Sequence, residues 1–121
     1  MSLKGFEMET APLTDYEEKT LLPIVVKGLA TKRGKASAVK NTYICQKLRA
    51  AGYDITEARL RKLVNHIRIK GIIPCLIATS AGYYITRDVQ EMDDYIESLY
   101  GRENAIRAVR EAMMGQRMEM A

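Results

Sequence analysis

Residues 55–85 constrain this chain more than any other stretch, because a basic helix, a glycine stop and a short hairpin follow in direct succession. In ITEARLRKLVNHIRIKG, Leu60, Leu63, Val64 and Ile67 recur at i, i+3, i+4 and i+7, which makes one apolar stripe on a helix. Thr56 is placed to cap that helix, with Glu57 in the first turn, where the positive end of the helix dipole favours an acid. Lys70 in the last turn and Gly71 just beyond it suit a helix C-terminus. At 100° per residue the stripe points away from Ala58, Arg61, Lys62 and Asn65, with Arg59, His66 and Arg68 on the flanks. The outward face is therefore mostly cationic and amide-bearing, the donor set that suits a major groove.

The elements around this helix are legible by the same rules. Thr14-Asp15-Tyr16-Glu17 has the form of a capping box and opens a first helix, on which Tyr16, Leu21, Leu22, Val25 and Leu29 can share a face. Pro23 falls inside it and should kink or break it, since proline supplies no backbone donor. Gly34 is the turn of a basic connection, ATKRGKASAVK, in which Ala38-Val39 could form a short strand at the edge of the later hairpin. Asn41 is expected to cap a second helix over residues 42–51, with Ile44, Cys45 and Leu48 inward and Gly52 as a left-handed C-cap. Two helices joined by a short glycine-containing turn, the second one basic, form a helix-turn-helix pattern.

After Gly71, Cys75-Leu76-Ile77 and Tyr83-Tyr84-Ile85 read as strands separated by residues 78–82, with Pro74 at the entry and Gly82 placed for a positive φ. This hairpin carries no lysine or arginine, so a deep minor-groove insertion is not indicated, although Thr79, Ser80 and the loop amides could touch a phosphate. Asp88-Val89-Gln90-Glu91 reads as a further capping box. Helical character then continues to about Met114, weakest at Gly101 and Gly115. Met92, Tyr95, Leu99, Ile106, Val109 and Met113 follow a 3-4 spacing with Arg102 in the one polar slot. Such a helix either folds fully onto its own domain or leaves part of its stripe for a partner or a second copy of the chain, a homodimer.

Charge is distributed unevenly. Residues 31–70 carry 11 Lys/Arg against two acids, while the whole 121-residue chain has a net charge of only +4. Concentration of positive charge in the middle third is the pattern of a polyanion-binding surface. Lys32, Arg33, Lys35 and Lys40 could approach phosphates, or be solvated loop charges. No apolar run approaches the roughly 20 residues of a membrane span, and the N-terminus lacks the apolar centre of a secretory signal, so a cytoplasmic protein is expected. Cys45 and Cys75 are expected as buried thiols, since neither has a metal-ligand partner nearby and His66 is the sole histidine.

Catalytic patterns do not emerge. Gly34 lacks the spacing of a phosphate loop, and neither HExxH nor CxxC occurs. Ser37, Ser80 and Ser98 have no nucleophile-elbow context, and Asp93 and Asp94 diverge on a helix. Neither an enzyme, a cofactor nor a metal site is expected.

Three segments together carry a resemblance: Arg33-Gly34-Lys35 before the second helix, Thr56-Glu57 through Arg61-Lys62, and Gly71-Ile72-Ile73-Pro74 followed by Gly82-Tyr83-Tyr84. With them, the chain over roughly residues 14–113 resembles winged-helix DNA-binding proteins, in particular the small ones encoded by bacterial prophages. The resemblance implies a mainly α fold with a small β-hairpin, a winged helix-turn-helix with an additional long C-terminal helix. Residues 1–13 would be a flexible arm, 14–86 the winged-helix domain and 87–121 the C-terminal helix with a loose end. The expected activity is double-stranded DNA binding as a phage-type transcription regulator. Arg61, Lys62 and Asn65 would read the groove, with Arg59 and Arg68 anchoring the flanking backbones. Lys40, Asn41 and Thr42 would hold a phosphate on the free amides of the second helix, with Lys35, Thr79 and Ser80 in support. Winged helices also serve as protein-interaction modules, so a prophage replication or assembly adaptor is the alternative.

Overall fold

A computed structural model describes residues 10–120. The described residues are mainly helical, with one two-stranded antiparallel hairpin and a long C-terminal helix. It divides between Arg87 and Asp88 into two compact units. Residues 1–9 of the expected N-terminal arm lie outside the described residues.

The first helix opens with the capping box. The Thr14 amide donates to Glu17 Oε1 at 2.9 Å, and the Glu17 amide donates to Thr14 Oγ1 at 3.1 Å. A π-helical turn over Glu17–Leu21 follows, closed by the Leu22 amide on the Glu17 carbonyl, and α1 then runs over Leu22–Leu29. The transition accounts for Pro23. Its missing donor falls directly after the π turn, where the widened ladder already departs from the regular i→i−4 pattern, so the helix continues through the proline without a break. The wider turn also re-phases the buried face, which is Glu17, Leu21, Val25 and Leu29; Tyr16, expected inward, is exposed.

Helix α2 spans Asn41–Ala50 and α3 spans Glu57–Lys70. Between them Gly52 adopts φ +91°, and the Cys45 thiol and the Arg49 Nε both donate to the Ile55 carbonyl. The start of α2 differs from expectation. Lys40, in extended backbone, is the N-cap and offers no side-chain cap, so Asn41 is the first helical residue. Helix α3 matches its sequence closely: the Thr56 hydroxyl accepts from the Arg59 amide, and Gly71 closes the helix in left-handed backbone at φ +67°. Leu60, Leu63, Val64 and Ile67 are fully buried. Each contributes roughly 1.5–3 kcal/mol relative to exposure, so this stripe fixes which side of α3 can face outward.

Strand β1 (Leu76–Thr79) pairs with β2 (Gly82–Ile85) through Leu76–Ile85, Ile77–Tyr84, Ala78–Tyr83 and Thr79–Gly82. The loop is thus Ser80-Ala81 and not the five residues expected, because pairing continues to Thr79, whose hydroxyl accepts from the Ala81 amide. The short strand expected at Ala38-Val39 is present as a bridge: Val39 and Tyr83 exchange amide-to-carbonyl bonds of 3.1 and 2.8 Å. Next to it the Gly34 amide donates to the Ile85 carbonyl. Leu76 and Tyr83 join the core formed by Leu21, Val25, Leu29, Cys45, Leu48, Ile55 and the α3 stripe. Pro74 and Cys75 make the turn into β1, with Cys75 at φ +64°. Cys75 is exposed, contrary to the expectation of two buried thiols, because a tight turn in left-handed backbone turns it away from the core; Cys45 is buried.

Helix α4, Val89–Met118, is the second unit. Asp88 caps it by accepting from the amides of Gln90 and Glu91. It continues through both Gly101 and Gly115, past the end expected near Met114, since an uninterrupted ladder on either side carries a glycine that costs only about 1 kcal/mol.

Candidate nucleic-acid interface

The geometry of the candidate interface begins with what α3 leaves outside. Opposite its buried stripe, Arg61 and Asn65 are exposed and Lys62 is partly exposed. Arg68, one turn on, donates from Nη1 to Asn65 Oδ1 at 3.1 Å, which engages the amide through its oxygen, so that Nδ2 is the donor end of this exposed side chain. His66 is half-buried at the edge of this face. Among the described residues, α3 thus presents two cations and an amide across adjoining turns, with a third cation steadying the amide.

Arg59 has a different occupation from the flanking anchor expected of it. Its guanidinium donates to both carboxylate oxygens of Glu17, at 2.6 and 2.8 Å, and to the carbonyls of Ala11 and Pro12. Both side chains are about nine-tenths buried. The hydrogen-bonded guanidinium holds the Glu17 carboxyl below the usual carboxylate range against the opposing effect of burial, and the same contact raises Arg59. A charge committed in this way contributes little to a nucleic-acid surface. It instead fastens the chain preceding α1 to the first turn of α3.

The start of α2 is docked beside the start of α3. Asn41 Nδ2 donates to the Glu57 carbonyl at 3.0 Å, and the Thr42 hydroxyl donates to Glu57 Oε1 at 2.9 Å. Asn41 Oδ1 in turn accepts from the Tyr83 hydroxyl at 2.8 Å, so one side chain joins α2, α3 and β2. Lys40 is exposed immediately before. The expected phosphate-holding segment therefore sits next to the N-terminal half of α3, but the Asn41 and Thr42 side chains are already engaged. What remains for an anion there is the Lys40 ammonium and the first amides of α2.

The remaining expected contacts are peripheral. Lys35 is exposed on a 3-10 turn, Lys35–Ser37, that packs near β2, and is not on α3. Ser80 is exposed at the hairpin tip, whereas the Thr79 hydroxyl is engaged by the Ala81 amide. Sequence reasoning missed two features here, the Glu17–Arg59 pair and the bridging role of Asn41. A signal existed for the first: Glu17 stands four residues before Leu21, in phase with the buried face, and an acid at such a position needs a cation.

No protein-family model, curated protein or solved structure matches this chain. Among the described residues no cluster of His, Cys, Asp or Glu could hold a metal ion, and no helix is long and apolar enough to cross a membrane.

Proposed function

We propose that residues 14–86 form a winged helix that binds double-stranded DNA, with α3 in the major groove and the hairpin as its wing. The observation that carries this reading is the outward row Arg61, Lys62 and Asn65 on a helix whose opposite side is fully buried. Arg61 and Lys62 would donate to guanine edges or phosphates, and Asn65, through Nδ2, would meet an acceptor on adenine. Lys40 and the first amides of α2 would hold a neighbouring phosphate, Arg68 would act through Asn65, and Lys35 and Ser80 would touch the backbone beyond. Arg59 is left out, because Glu17 already neutralises it. The concentration of 11 bases in residues 31–70 supports the same reading, and a phage-type cytoplasmic transcription regulator is the role proposed.

The test is a gel-shift titration on random duplex DNA across salt concentrations. About six phosphate contacts give a log–log salt slope of about −5. Arg61→Ala with Lys62→Ala should abolish the shift with the circular dichroism spectrum unchanged, and retained binding would remove the assigned face. Enrichment of bound sequences from a random pool then gives the operator. A second reading, an adaptor of the replication or assembly type, is favoured by the exposed apolar stripe of α4; it predicts no salt-dependent DNA affinity at all.

A further inference from the structure

Helix α4 carries a surface that DNA binding leaves unexplained. None of its 30 residues is buried. Leu99, Ile106, Val109 and Met113 are 41–70 % exposed, and together with Met92 and Tyr95 they keep an unbroken 3-4 spacing in which only Arg102 is polar. A sustained 3-4 repeat is the pattern by which one helix packs along another, and large exposed apolar patches mark interaction sites. At 1.5 Å per residue the helix is about 45 Å long, and covering the stripe would remove on the order of 800 Å² per copy, the size of a standard stable interface.

Charge along α4 decides what the stripe fits. Residues 88–101 contain five acids and no base, whereas residues 102–118 contain four arginines and two acids. A parallel pair would set acidic half against acidic half and Arg102 against Arg102 in the seam. Reversing one helix sets each acidic half beside a basic half. It also fits the side chains: Tyr95 falls opposite Met113, Leu99 opposite Val109, and Arg102 opposite Ile106 of the second copy, with Glu103 within reach of each Arg102.

We propose that the chain self-associates through α4 as an antiparallel two-helix coiled coil. This holds whether or not α3 binds DNA. The pairing attaches the two residue 14–86 domains at opposite ends of the rod, with the two Asp88 caps about 48 Å apart.

The experiment uses the full chain with Cys75→Ser, so that Cys45, which is buried, is the remaining native thiol. Sedimentation equilibrium should give the mass of two chains, and Leu99→Asp should raise the dissociation constant at least thirtyfold. Leu99→Cys and Val109→Cys proteins, mixed and oxidised, should form a 99–109 disulfide between chains, and neither alone should cross-link efficiently. The cross-link keeps the proposal falsifiable if Leu99→Asp disrupts the helix itself. A monomer at 100 µM, or a 99–99 disulfide formed as readily as the mixed one, would overturn it.

Discussion

Arg59 holds Glu17 across 42 positions of sequence by two hydrogen bonds, at 2.6 and 2.8 Å, with both side chains almost wholly withdrawn from water. The pair links the π-helical turn before α1 to the first turn of α3, and so sets where the outward row of α3 begins. Removing one partner leaves an uncompensated charge in a desolvated place. Glu17→Gln or Arg59→Met should each cost about 2–4 kcal/mol, whereas replacing both with methionine should cost less than the two singles added. Urea denaturation of the three variants checks this. The salt slope of DNA binding, measured on the folded protein, should be unchanged by Arg59→Met.

The same pair predicts a pH dependence. The Glu17 carboxyl is held below its ordinary value, chiefly by the Arg59 hydrogen bonds. Its contribution is therefore fully present above about pH 4.3, the unfolded value, and is lost as pH falls through the lower folded value. The stability gap between wild type and Glu17→Gln should be wide at pH 7 and should narrow on acidification below about pH 4. Thermal melts across pH 2.5–7 read that gap directly, and a constant gap would show that Glu17 is not ionised in the folded protein.

Gly82 answers to a neighbour rather than to its own turn. At φ +121° a Cβ there would lie 2.5 Å from both the carbonyl carbon and the oxygen of Val39, which are backbone atoms with no rotamer to yield. Gly82→Ala should push the Val39 segment off β2 and cost about 3 kcal/mol. Amide exchange at Val39 and Tyr83, which exchange the bridging hydrogen bonds, should accelerate more than exchange within α3.

Which of these features the sequence reveals depends on how far each interaction reaches. Helix α3 is local: its cap, stripe and glycine stop lie within seventeen residues, and Thr56, Leu60 and Gly71 all take their expected parts. The Thr14–Glu17 box is equally local, yet the burial of Glu17 is not, since it depends on a cation 42 positions away and on the re-phasing that Pro23 induces. Asn41 has ideal chemistry for an N-cap, but the hydroxyl of Tyr83 and the carbonyl of Glu57 draw it one residue into the helix. The positive φ of Gly82 is legible from its place in the hairpin, whereas the lack of room for a Cβ beside Val39 is a tertiary fact. Of the candidate interface, the outward row on α3 was legible from periodicity, and the neutralisation of Arg59 was not.

Cys75 offers a stabilising change. It occupies left-handed backbone at φ +64° directly after Pro74, on the surface and with a Cβ that this conformation disfavours. Cys75→Gly removes the clash and adds some freedom to the unfolded chain, so the net gain should be about 0.5–1 kcal/mol. Cys75→Val, branched at the same carbon, should lose at least as much. A shift of the urea midpoint in opposite directions for the two variants tests the backbone argument separately from the thiol.

The Tyr83 hydroxyl reaches the candidate interface without touching it. It donates to Asn41 Oδ1, and Asn41 Nδ2 donates to the Glu57 carbonyl, so the hairpin steadies the start of α2 against the start of α3. Tyr83→Phe removes the neutral hydrogen bond to Asn41 and should cost about 1 kcal/mol; Asn41→Ala, which removes that bond and the one to the Glu57 carbonyl, should cost about 2 kcal/mol. Because the two share a contact, the double variant should cost about 1 kcal/mol less than the singles added. If the docked start of α2 positions Lys40 on a phosphate, Tyr83→Phe should also weaken DNA binding several-fold, although Tyr83 is itself buried. Loss of stability with full DNA affinity would confine Asn41 to holding the fold together and would take the start of α2 out of the interface.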